Sequence, residues 1–219
     1  SLKNKRILIT AGPTWVPIDK IRVISNTASG TTGILLAKRL KDRGAKVTLL
    51  LGPIGNCQLS KGISVLRFGF FDEVKDSLLK ELRKRQYDIL IHSAAVSDYK
   101  LLKPYTKKVK SNLKRWALNL VPTQKLIGLA RKAAPDIFLV AFKFEPESKS
   151  RSELIKKASL LKYVRPQLVV ANTLCKNRYI AYILGVKKVY GPFMSKEKMT
   201  HNLIKLLISD TPACPKEKD

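Results

Sequence analysis

At 219 residues and 45% hydrophobic content, the chain is long enough for one well-buried α/β domain and too apolar for intrinsic disorder. No apolar run approaches the roughly 20 residues of a membrane span, and Ile7–Thr10 is too short for a signal-peptide core, so no membrane partner and a cytoplasmic setting are expected. The 43 Lys and Arg against 16 Asp and Glu give a net charge of +27, which suits a solvated basic surface, nucleic acid, or a site for highly charged small molecules.

Arg6–Thr10 is an apolar run ending at Gly12-Pro13, the pattern of a buried strand. Asn26–Gly30 opens a helix to about Arg43, with Gly33, Leu36, Ala37 and Leu40 on one face and Gly44 closing it. Strands follow at Lys46–Leu51, Ile63–Phe68 and Asp88–Ser93, with a helix over Phe71–Arg85 carrying Val74, Leu78 and Leu82 at helical spacing. Beyond a loop, Arg115–Leu120 alternates like a half-buried strand, and Thr123 is placed to cap a helix to about Lys132. Phe138–Phe142 and Leu168–Ala171 read as strands flanking a helix over Ser152–Lys162. Ala181–Leu184 and Lys187–Tyr190 form a hairpin about Gly185, and Ser195–Ser209 is the last helix.

Strands alternating with helices predict a doubly wound, mostly parallel Rossmann-like α/β sheet with a C-terminal β-hairpin and helix. No linker or internal repeat divides the chain, so a single domain over 1–219 is expected, with its core at about 5–208 and a loose tail over 209–219. Ser1 in place of an initiator Met fits a trimmed chain or a domain cut from a longer one. Cys57, Cys175 and Cys214 lie far apart without CxxC spacing, and His92 and His201 are equally scattered. That pattern predicts no disulfide framework, no protein-held metal and two structural histidines.

Ligands of such sheets lie beyond the carboxyl ends of the strands, which directs attention to 11–30, 94–112, 142–145 and 171–172. Ser29-Gly30-Thr31-Thr32-Gly33 opens a helix whose free N–H groups could face a phosphate, although the paired glycines could equally serve packing. The pattern is not GxGxxG, it lies some 20 residues after the first strand, and Leu51-Gly52 brings no carboxylate for a ribose, all of which disfavours an NAD(P) oxidoreductase. Tyr99 and Lys103 have a dehydrogenase-like spacing, which Pro104 and the loop setting mark as coincidence. Ten basic residues and no acidic one lie between Asp98 and Asp136, the first half of them in a loop that reads as a phosphate clamp. A catalytic triad cannot be assembled from so few His and Cys. Arg22, Asn26, Asp98, Lys108 and Lys143 are instead groups that orient and neutralise charge, the central task in phosphoryl and nucleotidyl transfer.

At these residues the chain resembles the phosphopantothenate–cysteine ligases, or phosphopantothenoylcysteine synthetases, which also occur as the synthetase domain of a bifunctional coenzyme A biosynthesis protein. The resemblance covers about residues 5 to 208. It is carried in order by Ile9-Thr10-Ala11-Gly12-Pro13-Thr14, Pro17-Ile18-Asp19, Val23-Ile24-Ser25-Asn26 with Ser29-Gly30 and Gly33, Ala94-Ala95-Val96-Ser97-Asp98-Tyr99, Lys108-Val109-Lys110-Ser111, Phe142-Lys143-Phe144-Glu145, and Val169-Val170-Ala171-Asn172. It implies a ligase that activates the carboxylate of 4′-phosphopantothenate with CTP or ATP and Mg²⁺, releases pyrophosphate, and transfers the acyl group from the nucleotide to cysteine.

By the same resemblance Asn26 and Lys108 would be catalytic, Asn26 steadying the acyl-nucleotide and Lys108 sitting in a mobile strap over the triphosphate. Arg22, Asn26, Ala94, Ala95 and Asp98 would bind substrate, Arg22 doing so across a homodimer interface. Gly12, Ser29, Gly30, Gly33, Asp98, Lys108, Phe142 and Asn172 would line the nucleotide site. Simpler roles remain open: a helix cap for Asn26, a turn for Asp98, a surface pair with Asp19 for Arg22, solvation for Lys108 and core packing for Phe142. The chain departs from many bacterial members at Trp15-Val16, at Ala28, at Thr31-Thr32 and at Lys143, which leaves CTP and ATP both open. A decarboxylase domain or partner is implied as a companion. A nucleic-acid-binding module stays the non-enzymatic alternative, disfavoured because Trp15 and Trp116 are not interleaved with the basic cluster.

Overall fold

The computed structural model describes residues 1–84 and 86–211. Twelve strands and five helices succeed one another: β1 (Arg6–Ala11), β2 (Trp15–Pro17), β3 (Val23–Ser25), α1 (Thr31–Lys41), β4 (Lys46–Leu51), β5 (Ser64–Arg67), α2 (Phe71–Arg83), β6 (Ile89–His92), β7 (Tyr99–Leu101), β8 (Leu120–Pro122), α3 (Leu126–Ala133), β9 (Phe138–Phe144), α4 (Arg151–Ser159) with a 3₁₀ turn (Leu160–Val164), β10 (Leu168–Cys175), β11 (Arg178–Leu184), β12 (Val189–Phe193) and α5 (Lys196–Asp210).

Eight strands form one sheet in the order β12-β11-β10-β9-β6-β1-β4-β5. Those from β10 to β5 run parallel, whereas β11 and β12 are joined antiparallel. A parallel sheet must be covered on both faces, and the alternation of side chains divides the apolar residues accordingly. Ile7, Ile9, Ala11, Leu168 and Val170 face α1 and α5. Leu8, Leu50, Leu139, Val169 and Ala171 face α2, α3 and α4. The predicted faces of α1 (Gly33, Leu36, Ala37, Leu40) and α2 (Val74, Leu78, Leu82) are buried as expected.

Chain order reverses beside β1. The chain leaves β1 towards β4 and β5, then crosses back to β6, β9 and β10 on the other side. The crevice above β1 and β6 is therefore the switch point at which such sheets bind ligands. Two long insertions leave from these strands. One holds the β2–β3 hairpin and the other the β7–β8 ribbon. They share a small core of Val16, Ile18 and Leu101, with Ile24, Trp116 and Leu118 packed against it.

Several expectations change. Arg115–Asn119 is not a strand: Trp116 and Leu118 do turn inward alternately, but strand pairing starts only at Leu120. Thr123 does not cap α3, which starts at Leu126; its hydroxyl donates to the Ser97 carbonyl at 2.6 Å and its N–H to that of Asp98 at 2.9 Å. The strand expected to end at Ala171 runs on to Cys175 and turns on Lys176 and Asn177, both left-handed, into β11. The hairpin about Gly185 is present, and Ser195 caps α5 by accepting from the Lys198 N–H at 3.1 Å. Helix α2 ends at Arg83, so the expected limit at Arg85 lies outside the described residues, as do the tail beyond Thr211 and Cys214.

One buried cation ties the lower half together. Arg131, 8% exposed, donates to the carbonyls of Val164 (2.8 Å), Pro135 (2.7 Å), Ile137 (2.9 Å) and Arg165 (3.1 Å), and to the Gln167 side chain (3.3 Å). These carbonyls follow the ends of α3 and of the 3₁₀ turn, where backbone acceptors lose their helical partners. Replacing Arg131 by Met strands several of them at about 1–3 kcal/mol each. The expected outcome is a loss of at least about 3 kcal/mol in urea unfolding; a loss below about 1 kcal/mol would show that water replaces the guanidinium.

Candidate active site

The close seating of α1 on β1 builds the site. A Cβ on Gly33 would stand 2.4 Å from the Ala11 Cβ and 3.0 Å from the Ser93 hydroxyl, so only glycine lets the first turn of α1 come this near the strand ends. Gly30, the N-cap, has φ +70, a conformation natural to glycine. Neither a side-chain cap nor an acidic residue meets the first turn of α1. Its free N–H groups and positive end thus face the crevice, an arrangement suited to an anion.

The loop after β6 is stitched to the loop after β1. The Ala94 N–H donates to the Thr10 hydroxyl oxygen at 3.3 Å, and the same hydroxyl is hydrogen-bonded to His92 Nδ1 at 2.9 Å. The Ala95 N–H donates to the Gly12 carbonyl at 2.9 Å and the Ser97 N–H to the Thr14 hydroxyl at 2.9 Å. Asn26 joins this seam, its Nδ2 donating to the Ala95 carbonyl at 3.0 Å. Asn26 therefore does not cap α1; that position belongs to Gly30.

Above the seam lies a cleft of about 430 Å³. It gathers Gly12, Ser29, Gly30, Gly33, Ala94, Ala95, Asp98, Phe142 and Asn172, nine of the residues singled out in the sequence. Asn26 lines a neighbouring hollow of about 570 Å³ that shares Thr27, Ala28, Ser29 and Thr31 with the cleft. Asp98 is held by Lys125 at 2.6 Å. The cleft also takes in Lys143, read from the sequence as a charge-neutralising group, and Tyr179 and Lys196, which the sequence did not single out. Lys196 belongs to α5 and Tyr179 to β11, so only the folded sheet brings them to β9; Lys143 stood beside Phe142 in a quoted motif.

Arg22 and Lys108 stand outside this lining. Arg22 Nη1 donates to Asp19 Oδ2 at 2.6 Å and to the Val109 carbonyl at 3.2 Å, and its guanidinium lies 5.2 Å from the Trp116 ring centre. Asp19 also accepts from the N–H groups of Ile21, Arg22 and Val109. Burial pushes the Asp19 carboxyl up, but these hydrogen bonds and the Arg22 charge outweigh it and hold the group at about 2. The strap carrying Lys108 is thus moored to the β2–β3 arm at Val109, and again where the Tyr105 N–H donates to the Ile18 carbonyl at 2.8 Å. Lys108 itself is exposed.

Among the described residues no three His, Cys, Asp or Glu converge to hold a metal, and the carboxylate lining the cleft, Asp98, is already paired. A divalent cation there would have to arrive largely ligated by phosphates, as Mg²⁺ commonly does.

The fold and cleft define a Rossmann-like α/β protein with an anion-facing site at the reversal of its strand order. The chain belongs to the family of the DNA/pantothenate metabolism flavoprotein C-terminal domain, whose model matches residues 2–209. It is 36% identical over 175 residues to the coenzyme A biosynthesis bifunctional protein CoaBC of Thermococcus kodakarensis, covering 80% of this chain and 42% of that protein. It is 35% identical over 174 residues to a cysteine/cysteine sulfinic acid decarboxylase of an unknown prokaryotic organism, covering 79% and 47%. The chain thus spans about half the length of the curated relatives it matches. The fold matches a DNA/pantothenate metabolism flavoprotein of Streptococcus pneumoniae with a TM-score of 0.83 at 22% identity, covering 94% of this chain and 99% of that one. It matches a Cab2 mutant in complex with phosphopantothenate-cysteine with a TM-score of 0.73 at 20% identity, covering 94% and 86%.

The seam makes a pH prediction. Burial lowers the His92 imidazole from 6.5 to about 4, so the unfolded chain binds the extra proton between those values and the folded protein does not. Stability should therefore be complete above pH 6.5 and fall by on the order of 3 kcal/mol as pH drops to 4. In His92→Gln, which retains a hydrogen-bonding atom but cannot titrate, urea midpoints measured from pH 7 to 4.5 should fall less steeply. Parallel curves for the two proteins would rule out a buried neutral His92.

Proposed function

We propose that this chain is a nucleotide-dependent phosphopantothenate–cysteine ligase acting in coenzyme A biosynthesis. The observation that carries the reading is the meeting, in one cleft of a chain of this family, of the uncapped start of α1 with the Ala94–Ala95 loop to which Asn26 is bonded. The first feature suits a phosphate chain and the second suits an acyl group beside it.

The carboxylate of 4′-phosphopantothenate attacks the α-phosphorus of CTP or ATP, and the bond to pyrophosphate breaks. The amine of cysteine then attacks the acyl carbon, and the nucleoside monophosphate leaves. Both steps are displacements at activated centres and need no enzyme nucleophile. The chain's contribution is to position the reactants and stabilise charge. The free N–H groups of Thr32 and Gly33 face the phosphates, while that of Thr31 leans on the Ser29 hydroxyl at 3.4 Å; the backbone of Ala94 and Ala95 lies along the acyl portion, and Phe142 and Asn172 take the nucleoside end. Asn26, bonded to the Ala95 carbonyl from the adjoining hollow, would steady the mixed anhydride between them. Mg²⁺, when bound, would travel on the triphosphate beside Asp98 and supply charge neutralisation. Lys108 closes from the strap. A homodimer would let Arg22, now holding the strap, meet the phosphopantothenate phosphate of a neighbouring subunit. The bifunctional relatives make a decarboxylase a natural companion.

Pyrophosphate release tests the reading. Release from CTP or ATP should require 4′-phosphopantothenate, and the cysteine amide should form only when cysteine is added; release indifferent to phosphopantothenate would sink the proposal. Asn26→Asp turns a donor into an anion facing both the Ala95 carbonyl and the reacting phosphate. At the intermediate dielectric of a surface-lying site the repulsion amounts to a few kcal/mol, which translates to a loss on the order of 100-fold in turnover, while losing one exposed hydrogen bond should lower stability by only about 1 kcal/mol. Normal turnover in Asn26→Asp would remove Asn26 from the reaction.

A further inference from the structure

Two lysines line the cleft, and the fold treats them differently. Lys143 alternates with Phe142 along β9, and its ammonium sits 2.8 Å from Glu145, which also takes Lys157 of α4 at 3.1 Å. That cation is already answered, on the α4 side of the sheet. Lys196 is half-buried at the first position of α5, on the same side as Phe142 and the start of α1. Among the described residues no carboxylate lies within ion-pair distance of it; its neighbour Glu197 is exposed and feels its charge only through space.

Its placement opposes helix stability. A cation in the first turn faces the positive end of the helix dipole, where an acidic residue is preferred. Nor is the position accidental. Strand β12 runs the same way as β9 and β10, so α5, like α1, starts at the carboxyl edge of the sheet. Arg39 of α1 locks the two helices together, donating to the Glu197 carbonyl at 2.6 Å and to the Thr200 hydroxyl at 2.7 Å. The result is a half-buried lysine, without an ion-pair partner among the described residues, lining an anion-facing cleft from a helix locked in place at its rim, at some cost to that helix.

We propose that Lys196 is a nucleotide-binding residue that holds the phosphate chain of the nucleoside triphosphate against the start of α1. The assignment rests on the ligase reading for its ligand, but binding can be measured apart from turnover. CTP, ATP and CMP are titrated by calorimetry into the wild-type chain, Lys196→Ala, Lys196→Arg and Lys198→Ala. Lys198 is exposed on the same helix, outside the cleft lining, and controls for net charge.

Lys196→Ala should weaken the better triphosphate about tenfold or more and CMP less than about threefold. Lys196→Arg should recover most of the loss, and Lys198→Ala should bind as wild type. The melting temperature of Lys196→Ala should be equal or higher, a sign opposite to that of a structural lysine. In turnover, KM for the nucleotide should rise while KM for phosphopantothenate holds. Equal losses for CMP and triphosphate, equal effects at Lys196 and Lys198, or a wild-type chain that binds no triphosphate would each overturn the proposal. Triphosphate binding with the expected Lys196 pattern but no phosphopantothenate-dependent pyrophosphate release would overturn the ligase reading and leave Lys196 in place.

Discussion

The approach of α1 to β1 at Gly33 is the constraint from which the site follows. The first turn touches Ala11 and Ser93, the residues that close β1 and follow β6, so the helix end lies directly over the place where strand order reverses. Any side chain at 33 would lift that end away from the sheet. The N–H groups would then face solvent instead of the crevice, and the geometry that gives a helix end its hold on a phosphate would be lost. Close packing and a helix start turned into the crevice are here a single requirement, met by a residue without a side chain.

A second level of organisation is electrostatic and sits outside the cleft. Asp19 gathers three backbone N–H groups and a guanidinium, which fastens the β2–β3 arm to the strap that follows β7. One carboxylate thus joins the turn at 19–22 to Val109 of the strap, far apart in sequence. It also explains why a strap dense in lysine is not simply unfolded by its own repulsion: Val109 is held from both sides of its peptide by the Asp19–Arg22 pair. Lys108 is carried next to that anchor with its side chain in solvent.

The parallel core was legible in the sequence because its signals are local. Strand β4 and the buried faces of α1 and α2 follow from apolar spacing, and the start of α5 follows from Ser195. The floor of the cleft was legible as well: Gly12 and Ala94 come just after β1 and β6, Gly30 precedes α1, and Phe142 and Asn172 lie in the carboxyl-terminal halves of β9 and β10. What escaped depends on partners distant in sequence. Trp116 and Leu118 alternate as in a strand, yet pack against an arm a hundred residues earlier without strand pairing. Thr123 has a cap's chemistry but finds the Ser97 carbonyl first. The turn at Lys176-Asn177 lacks the glycine that usually marks left-handed turns, so the length of β10 was hidden. Lys196 reaches the cleft only because two antiparallel strands return α5 to its rim.

The net charge of +27 is best understood through the same distinction between exposure and burial. With 43 basic and 16 acidic residues, most cations have no carboxylate to pair with, so an unpaired lysine in solvent carries no information. Screening makes such charges nearly indifferent to one another beyond about 8–10 Å. Inside the fold an unanswered cation is expensive, and each one needs a reason. Lys5 is buried and meets Asp88 at 3.1 Å. Arg131 is buried and meets a ring of carbonyls. Arg22 meets Asp19 and the face of Trp116. These groups are satisfied by the protein itself and hold its parts together. A partly buried cation at the cleft that no described carboxylate answers is a different case, because nothing among the described residues completes it. The surface excess can steer polyanions towards the protein as a diffuse field. Selection among them has to rest on the few groups that the fold has placed and not paired.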